Sequence, residues 1–153
     1  MFNQIEETVE NALSSANINA VRKYPADKLN RKESIVCVSL KEAELLSSGL
    51  GNYVGIAAVS GVRTEFYANR TELSVALELF APTPADCESL RGNVHEALCK
   101  SDLKIKQLRA GEIRWDFESE MFRCDLMLYA WAYFVRKLNN GTIGAPEFVT
   151  EVP

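Results

Sequence analysis

Residues 112–137, EIRWDFESEMFRCDLMLYAWAYFVRK, decide the fold of this chain. Apolar and polar residues alternate along most of this stretch with a period of two, which is typical of β-strands. The alternation breaks at residues 118–120, so the stretch predicts a strand, a short polar turn and a longer strand. One face of the longer strand is apolar throughout, with Phe122, Cys124, Leu126, Leu128, Ala130, Ala132 and Phe134.

The opposite face of the longer strand starts charged and becomes aromatic at Tyr129, Trp131 and Tyr133. Such a face is either covered by more of the chain or buried against another molecule. Stacking on nucleic-acid bases also uses exposed aromatics, but it needs basic neighbours, and only Arg136 and Lys137 follow. We therefore expect either a covered sheet face or the seam between two subunits.

Periodicity elsewhere predicts two helices and further strands. Apolar residues recur at helical spacing over residues 2–17 and 85–100, and Thr83 or Asp86 is placed to cap the second helix. Alternation predicts strands over residues 34–40 and 71–81. Residues 41–46 fit either a continued strand or a helical turn, and residues 47–52 predict a loop. Residues 53–70 predict strand structure with a bend or bulge at Gly61 and a turn at residues 68–70.

The order of these elements predicts an α+β fold in a single domain, residues 1–153. Short turns between strands favour antiparallel pairing, and two amphipathic helices can cover one sheet face. We expect a mainly antiparallel, twisted sheet of about four to five strands with two helices packed on one face. Residues 1–137 are expected to form the compact core, and residues 138–153, with two glycines and two prolines, a C-terminal tail.

Charge and hydropathy exclude several classes of function. The net charge is −4, from 21 acidic and 17 basic residues, and the basic residues are scattered. Specific binding of nucleic acid is not expected, because gripping phosphates needs clustered Lys and Arg. No apolar run reaches the roughly 18 residues of a membrane span, and the first residues lack the apolar segment of a secretory signal. We expect a protein made in the cytoplasm that does not bind membranes.

The four cysteines do not form a metal-binding or redox motif. Cys37, Cys87, Cys99 and Cys124 include no C-x-x-C pair. We expect reduced thiols that act as small buried hydrophobes. Neither a metal nor another cofactor is predicted.

The sequence contains no convincing catalytic constellation. The single histidine, His95, lies four residues before Cys99 on the second predicted helix, but one helix supplies only two ligands. Glu118 and Glu120 flank Ser119 in the predicted turn, where carboxylates are normally solvated. The Gly49-Leu50-Gly51 loop lacks the phosphate-binding pattern. We predict no catalytic residue, and an enzyme would have to use an unrecognised site at His95, Glu118 or Glu120.

Taken in order, the chain resembles the tail terminator and tail-completion proteins of tailed bacteriophages, which include head-tail joining and minor tail proteins. The resemblance spans nearly the whole chain but rests on order and size, without a signature motif. It begins with the helix IEETVENAL, a polar connector and an aliphatic strand, and continues with VRTEFYANRTELSVALELFAP, DCESLRGNVHEALCK and IRWDFESEMFRCDLMLYAWAYFV.

This resemblance implies a structural protein of the virion tail rather than an enzyme. Members of the family form rings, typically hexameric, that cap the tail tube and meet the head connector. DNA passes through the ring as cargo, and there are no catalytic residues to transfer. The alternative is a small, non-enzymatic interaction or regulatory domain of a bacterial mobile element that binds one partner without forming a ring.

Two regions are expected to contact neighbouring subunits of a homo-oligomer. Residues 40–70 are long and poorly periodic for a compact domain, and the C-terminal tail could reach a neighbour. Together with the aromatic face these regions supply the candidate interface residues: Tyr53, Arg63, Phe66, Tyr67, Arg70, Tyr129, Trp131, Tyr133 and Phe148.

Overall fold

A computed structural model describes residues 2–22, 33–47, 53–139, 142–143 and 147–149. These residues form two helices and one nine-stranded sheet. The helices are α1 (Asn3–Ser14) and α2 (Pro84–Cys99). The strands are β1 (Ala20–Val21), β2 (Ile35–Leu46), β3 (Tyr53–Val59), β4 (Val62–Ala81), β5 (Lys104–Ala110), β6 (Arg114–Asp116), β7 (Met121–Asn139), β8 (Thr142–Ile143) and β9 (Glu147–Val149).

The sheet is built around β4 and β7, which pair antiparallel from Thr64 opposite Asn139 to Ala81 opposite Phe122. β2 and β3 lie one after the other along the outer edge of β4, and β5, β6, β8 and β9 lie along the outer edge of β7. β1 adds to β2 in parallel. The α+β class and the two helices agree with the prediction. The predicted sheet is wrong: the described residues form nine strands rather than four to five, and the parallel pair of β1 and β2 makes the sheet a mixed one.

The strands that the sequence did not predict are short or polar. β1, β8 and β9 have two or three residues each, and β5 (KIKQLRA) is largely exposed. A strand of this kind is held by hydrogen bonds to a long neighbour rather than by its own burial pattern. Parts of the expected C-terminal tail are ordered in this way, since β8 and β9 pair with β7.

The long strands also correct two local predictions. β2 continues to Leu46 across a register shift after Leu40, which settles the choice left open for residues 41–46. Residues 68–70 are not a turn, because β4 runs through them. The chain instead turns at Ser60 and Gly61, whose φ angles of 52° and 79° match a two-residue type I′ hairpin. Most of the predicted loop at residues 47–52 lies outside the described residues.

The helices pack on one face of the sheet, as expected. α1 buries Ile5, Val9 and Leu13. Thr83 caps the N-terminus of α2, since its Oγ1 accepts a hydrogen bond from the backbone N–H of Asp86 at 3.1 Å. The residues of α2 that face the sheet are Cys87, Leu90, Val94, Ala97 and Leu98. They join the apolar faces of β4 and β7 in one core cluster, which includes the predicted apolar face of the long strand except Ala130.

A charge in the middle of this core should prevent folding. The Leu128 side chain is fully buried and lies opposite Val75 on β4 and Leu108 on β5. An unpaired buried charge costs about 3–5 kcal/mol, a large share of the roughly 5–15 kcal/mol that keeps a domain folded. We expect Leu128→Asp to be unfolded or insoluble by circular dichroism and thermal melting. Arg136→Asp, at an exposed position on the same strand, should melt like the wild type. A cooperatively melting Leu128→Asp protein would contradict the core described above.

Candidate functional site

β4 and β7 extend beyond the region that the helices cover. The helix-covered core includes β4 only from Leu73 onwards and β7 from Cys124 to Phe134. β4 has 20 residues, a contour of about 65 Å at strand rise, whereas a compact domain of this length is about 40 Å across. We call the helix-covered part the base. The arm consists of β3, residues 62–69 of β4, residues 135–139 of β7, β8 and β9.

The buried face of the sheet changes between base and arm. In the base, β4 buries its odd-numbered positions, such as Leu73 and Val75, against the helices. In the arm it buries the even-numbered Thr64, Phe66 and Ala68. Because alternate residues of a strand point to opposite faces, the buried side of the arm is the face away from the helices. There Phe66, Ala68 and Val135 form a separate apolar cluster, against which Tyr133 and Val149 pack.

The outer edge of the arm is apolar and uncharged. Among the described residues β3 pairs only with β4, so its other edge has no strand beside it. Its sequence, YVGIAAV, contains no charge and no proline, and Tyr53, Ile56 and Val59 are 40%, 43% and 42% exposed. Edge strands usually carry charges, prolines or bulges that prevent pairing with another chain. This edge has only a register shift between Tyr53 and Gly55, so it is suited to contact a second molecule.

The arm brings together several of the predicted interface residues. The rings of Tyr53 and Tyr67 meet edge to face with centroids 5.6 Å apart. The Tyr67 hydroxyl donates to Glu65 Oε2 at 3.0 Å, and this hydrogen bond raises the pKa of Tyr67. Arg63 is exposed near the hairpin tip, opposite Ala58.

Two predicted interface residues of the arm are less accessible or less well defined. Phe66 is only 6% exposed within its apolar cluster, so its side chain does not present a contact surface in the single chain. Phe148 lies in β9 with its backbone paired to that of Phe134, and its side chain lies outside the described residues. The prediction missed Ile56 and Val59, two further exposed apolar residues of β3. The signal for them was the uncharged run at residues 53–59.

The remaining predicted residues lie together on the sheet face opposite the helices. Tyr129, Trp131 and Tyr133 are half-buried there, with Arg70 beside them on β4. The guanidinium of Arg70 lies 4.5 Å from the centroid of the Trp131 ring. That of Arg109 lies 5.8 Å from the Tyr129 ring. Both are cation–π contacts, so arginine side chains lie against the aromatic rings on this face, which the helices do not cover.

Further along the same face, charged side chains form ion pairs with one another. Arg123 donates to Glu78 at 2.9 Å and to Asp125 at 2.7 Å, and Arg114 reaches Asp125 at 3.0 Å. Lys106 on β5 pairs with Glu72 on β4 at 3.7 Å. The face of the base away from the helices is therefore a charged and aromatic surface, which we call the open face.

The histidine and cysteine singled out as a possible dyad are neighbours on the surface of α2. His95 Nδ1 lies 3.8 Å from Cys99 Sγ, and both residues are exposed. Within the described residues, no group of three or more His, Cys, Asp or Glu side chains is arranged to hold a metal ion.

The other three cysteines are buried. Burial raises the pKa of Cys37 and of Cys87 to about 11, and it also raises the pKa of Cys124. These thiols are therefore protonated at neutral pH and pack as small hydrophobes, as predicted. The prediction does not hold for Cys99, which is exposed at the end of α2.

An acidic residue beside the predicted turn, Asp116, stabilises the turn by hydrogen bonding. Asp116 Oδ2 accepts hydrogen bonds from the hydroxyl of Ser119 at 2.6 Å and from its backbone N–H at 3.3 Å. The hydrogen bond from the Ser119 side chain lowers the pKa of Asp116. Glu118 is exposed, and Glu120 has a φ of 53°, in the left-handed region that ends the turn. Asp116 and Ser119 thus close the connection between β6 and β7.

Comparison with known proteins does not identify a family for this chain. No protein-family model matches the chain, and no curated protein sequence matches it. In the part of the chain that the structure describes, neither helix is long and apolar enough to cross a membrane.

The turn contact should make the stability of the chain depend on pH. A carboxyl whose pKa is lowered on folding stabilises the fold above its ordinary pKa, and this stability is lost as the pH falls through the folded pKa. At pH 7 we expect Asp116→Ala to lose about 1 kcal/mol in urea unfolding, because the buried Ser119 hydroxyl loses its acceptor. The difference from wild type should shrink at about pH 3. Glu118→Ala is the matched control and should unfold like the wild type. An equal loss at both pH values would contradict the role of the charge.

Proposed function

We propose that this chain is a structural subunit of a bacteriophage or prophage tail. It assembles as a homo-oligomeric ring at the head-proximal end of the tail tube, as the tail terminator and tail-completion proteins that it resembles do. Its partners are further copies of itself, the tail-tube protein and the head connector, and DNA passes through the ring without specific binding. The observation that carries the proposal is the arm, whose uncharged β3 edge continues beyond the helix-covered base.

The arm has the surface expected of a contact between subunits. Tyr53, Ile56 and Val59 are each about two-fifths exposed. Burying the exposed part of an aliphatic side chain contributes roughly 1 kcal/mol, so a neighbour that covers this edge would gain a few kcal/mol. The outer edge of β3 pairs with no other strand in the described part of the chain, so its backbone groups can add hydrogen bonds, as in other cases where a strand joins a sheet edge. A ring subunit needs such contact surfaces more than it needs a catalytic centre.

The open face and the overall charge agree with this role. Aromatic and arginine residues are enriched at protein interfaces, and Trp131, Tyr129 and Arg70 lie together on the open face. The net charge of −4 suits a ring that lets DNA pass without holding it.

The proposal predicts that the purified protein forms rings that depend on the arm. Wild-type protein should elute as an oligomer in size-exclusion chromatography with light scattering, and it should appear as rings in negative-stain electron microscopy. Ile56→Asp/Val59→Asp places two charges on the exposed β3 edge, so we expect its oligomers to dissociate at least about tenfold more readily. Its melting temperature should change by only a few degrees, since both residues are exposed.

Phe117→Asp is the control for this experiment. Phe117 is the most exposed large apolar residue in the described part of the chain, at 86%, and it lies at the connection between β6 and β7, outside the arm. The Phe117→Asp variant should assemble like the wild type. Wild-type protein that stays monomeric at the highest attainable concentration would argue against a tail ring. That result would favour the small interaction domain of a mobile element.

A further inference from the structure

We propose that neighbouring copies of this chain join head to tail by extending the sheet, with residues 41–46 of β2 in one copy paired antiparallel with β5 of the next. This inference rests on the proposed ring and names the contact that would build it. Four observations carry it: strand direction, the accessibility of both edges, the charges on the open face, and the apolar residues on the helix-covered face.

The direction of the strands allows the sheet to continue from copy to copy. In the base the strands follow the order β2-β4-β7-β5, and each pairs antiparallel with the next. The two outer strands, β2 and β5, therefore run in opposite directions. When β5 of one copy lies beside β2 of another copy in the same orientation, the new pair is antiparallel, like the ladders already present.

Both edges are accessible. On its outer side β2 is paired with β1 only at Val36 and Cys37, and the backbone N–H of Leu40 donates to Glu6 Oε1 at 2.9 Å. Beyond Leu40 the described residues supply no strand on that side, and Leu45 is 47% exposed. β5 pairs only with β7 among the described strands, and its Lys106, Gln107 and Arg109 are exposed.

The open face carries opposite charges at the two edges. On β2, Glu42 and Glu44 lie opposite Ser74 and Glu72, which places both glutamates on the open face. On β5, Gln107 and Arg109 lie opposite Tyr129 and Met127 of the same face. Lys106 points to this face as well, since it reaches Glu72. On the same side of the sheet, the β2 edge therefore carries two glutamates next to the exposed Lys41, and the β5 edge carries Lys106 and Arg109.

On the helix-covered face, the β2 and β5 edges are complementary because both carry apolar residues. Ala43 on β2 and Ile105 and Leu108 on β5 are partly buried and pack against the edge of the main core. The neighbouring Leu45 is largely exposed. If Ala43 lies opposite Leu108 of the next copy, then Leu45 falls near Ile105 and the two cores become continuous. The register shift between Ile105 and Gln107 keeps these residues on the same face.

That one register also aligns the charges. With Ala43 opposite Leu108, Glu42 lies opposite Arg109 and Glu44 lies opposite Gln107, beside Lys106. Each pair of opposite charges that face each other across two strands stabilises the strand contact by about 0.2–1 kcal/mol, and a pair of like charges destabilises it. Pairing of β2 with β2, or of β5 with β5, would place like charges together. The edges therefore favour a head-to-tail contact, which closes into a ring when the rotation allows it.

Charge reversal tests this contact. Glu42→Lys/Glu44→Lys makes both edges basic, and Lys106→Glu/Arg109→Glu makes both acidic. Each variant alone should require at least about tenfold more protein to assemble in light scattering, because like charges now meet at every contact. An equimolar mixture of the two should assemble at wild-type concentrations, since each contact then joins opposite charges. Glu7→Lys/Glu118→Lys changes two exposed glutamates away from both edges and should assemble normally. Melting curves of all variants establish that they are folded.

A disulfide test fixes the register. In a Cys99→Ser background, Glu44→Cys/Gln107→Cys should form a ladder of covalent oligomers on mild oxidation, while each single cysteine variant should give no species larger than a dimer. Wild-type rings that are insensitive to both charge reversals, without a disulfide ladder, would overturn this contact and leave the proposed ring standing. A wild-type protein that is monomeric at all concentrations would overturn both.

Discussion

The antiparallel ladder between β4 and β7 is the interaction on which the rest of this structure depends. It runs from Thr64 to Ala81 on one strand and from Asn139 to Phe122 on the other. β2, β3, β5, β6, β8 and β9 each pair with one of these two strands, and α2 packs on both. Few of the remaining strands could be stable alone, because they are short or largely exposed. The ladder therefore supplies both the edges to which other strands hydrogen-bond and the sheet surface on which the helices pack.

A single ribbon can serve both base and arm because its buried face changes along its length. Ala68 and Thr71 are both fully buried although they lie three residues apart, so the alternation is broken between them. The sequence predicts a turn at residues 68–70, and alternation with a period of two also fails at turns. Only the partner strand distinguishes the two cases. β7 continues opposite these residues as far as Asn139, which keeps β4 extended through the change of face.

The sequence predicted the elements that bury their own apolar residues and missed those held by a neighbour. β6, β7, α1 and α2 have clear periodicity and appear within a few residues of their predicted bounds. β5 has alternating charges and exposed residues, and it is a strand because β7 offers an unpaired edge beside it. The same distinction applies to the candidate interface residues. Tyr53 and Trp131 could be chosen as interface candidates from their aromatic side chains. Ile56 and Lys106 become candidates only because the structure places them on an accessible edge of the sheet.

The edges of the sheet also explain how the molecule could avoid indiscriminate association. An uncharged edge such as β3 would pair with many strands, so apolar area alone gives little control over partner or direction. The β2 and β5 edges differ, since Glu42 and Glu44 repel their own copies and attract Lys106 and Arg109. Charge on the base would then fix direction and register, and the arm would add apolar area once neighbours are aligned. In the proposed closed ring, all of these edges would be covered at once.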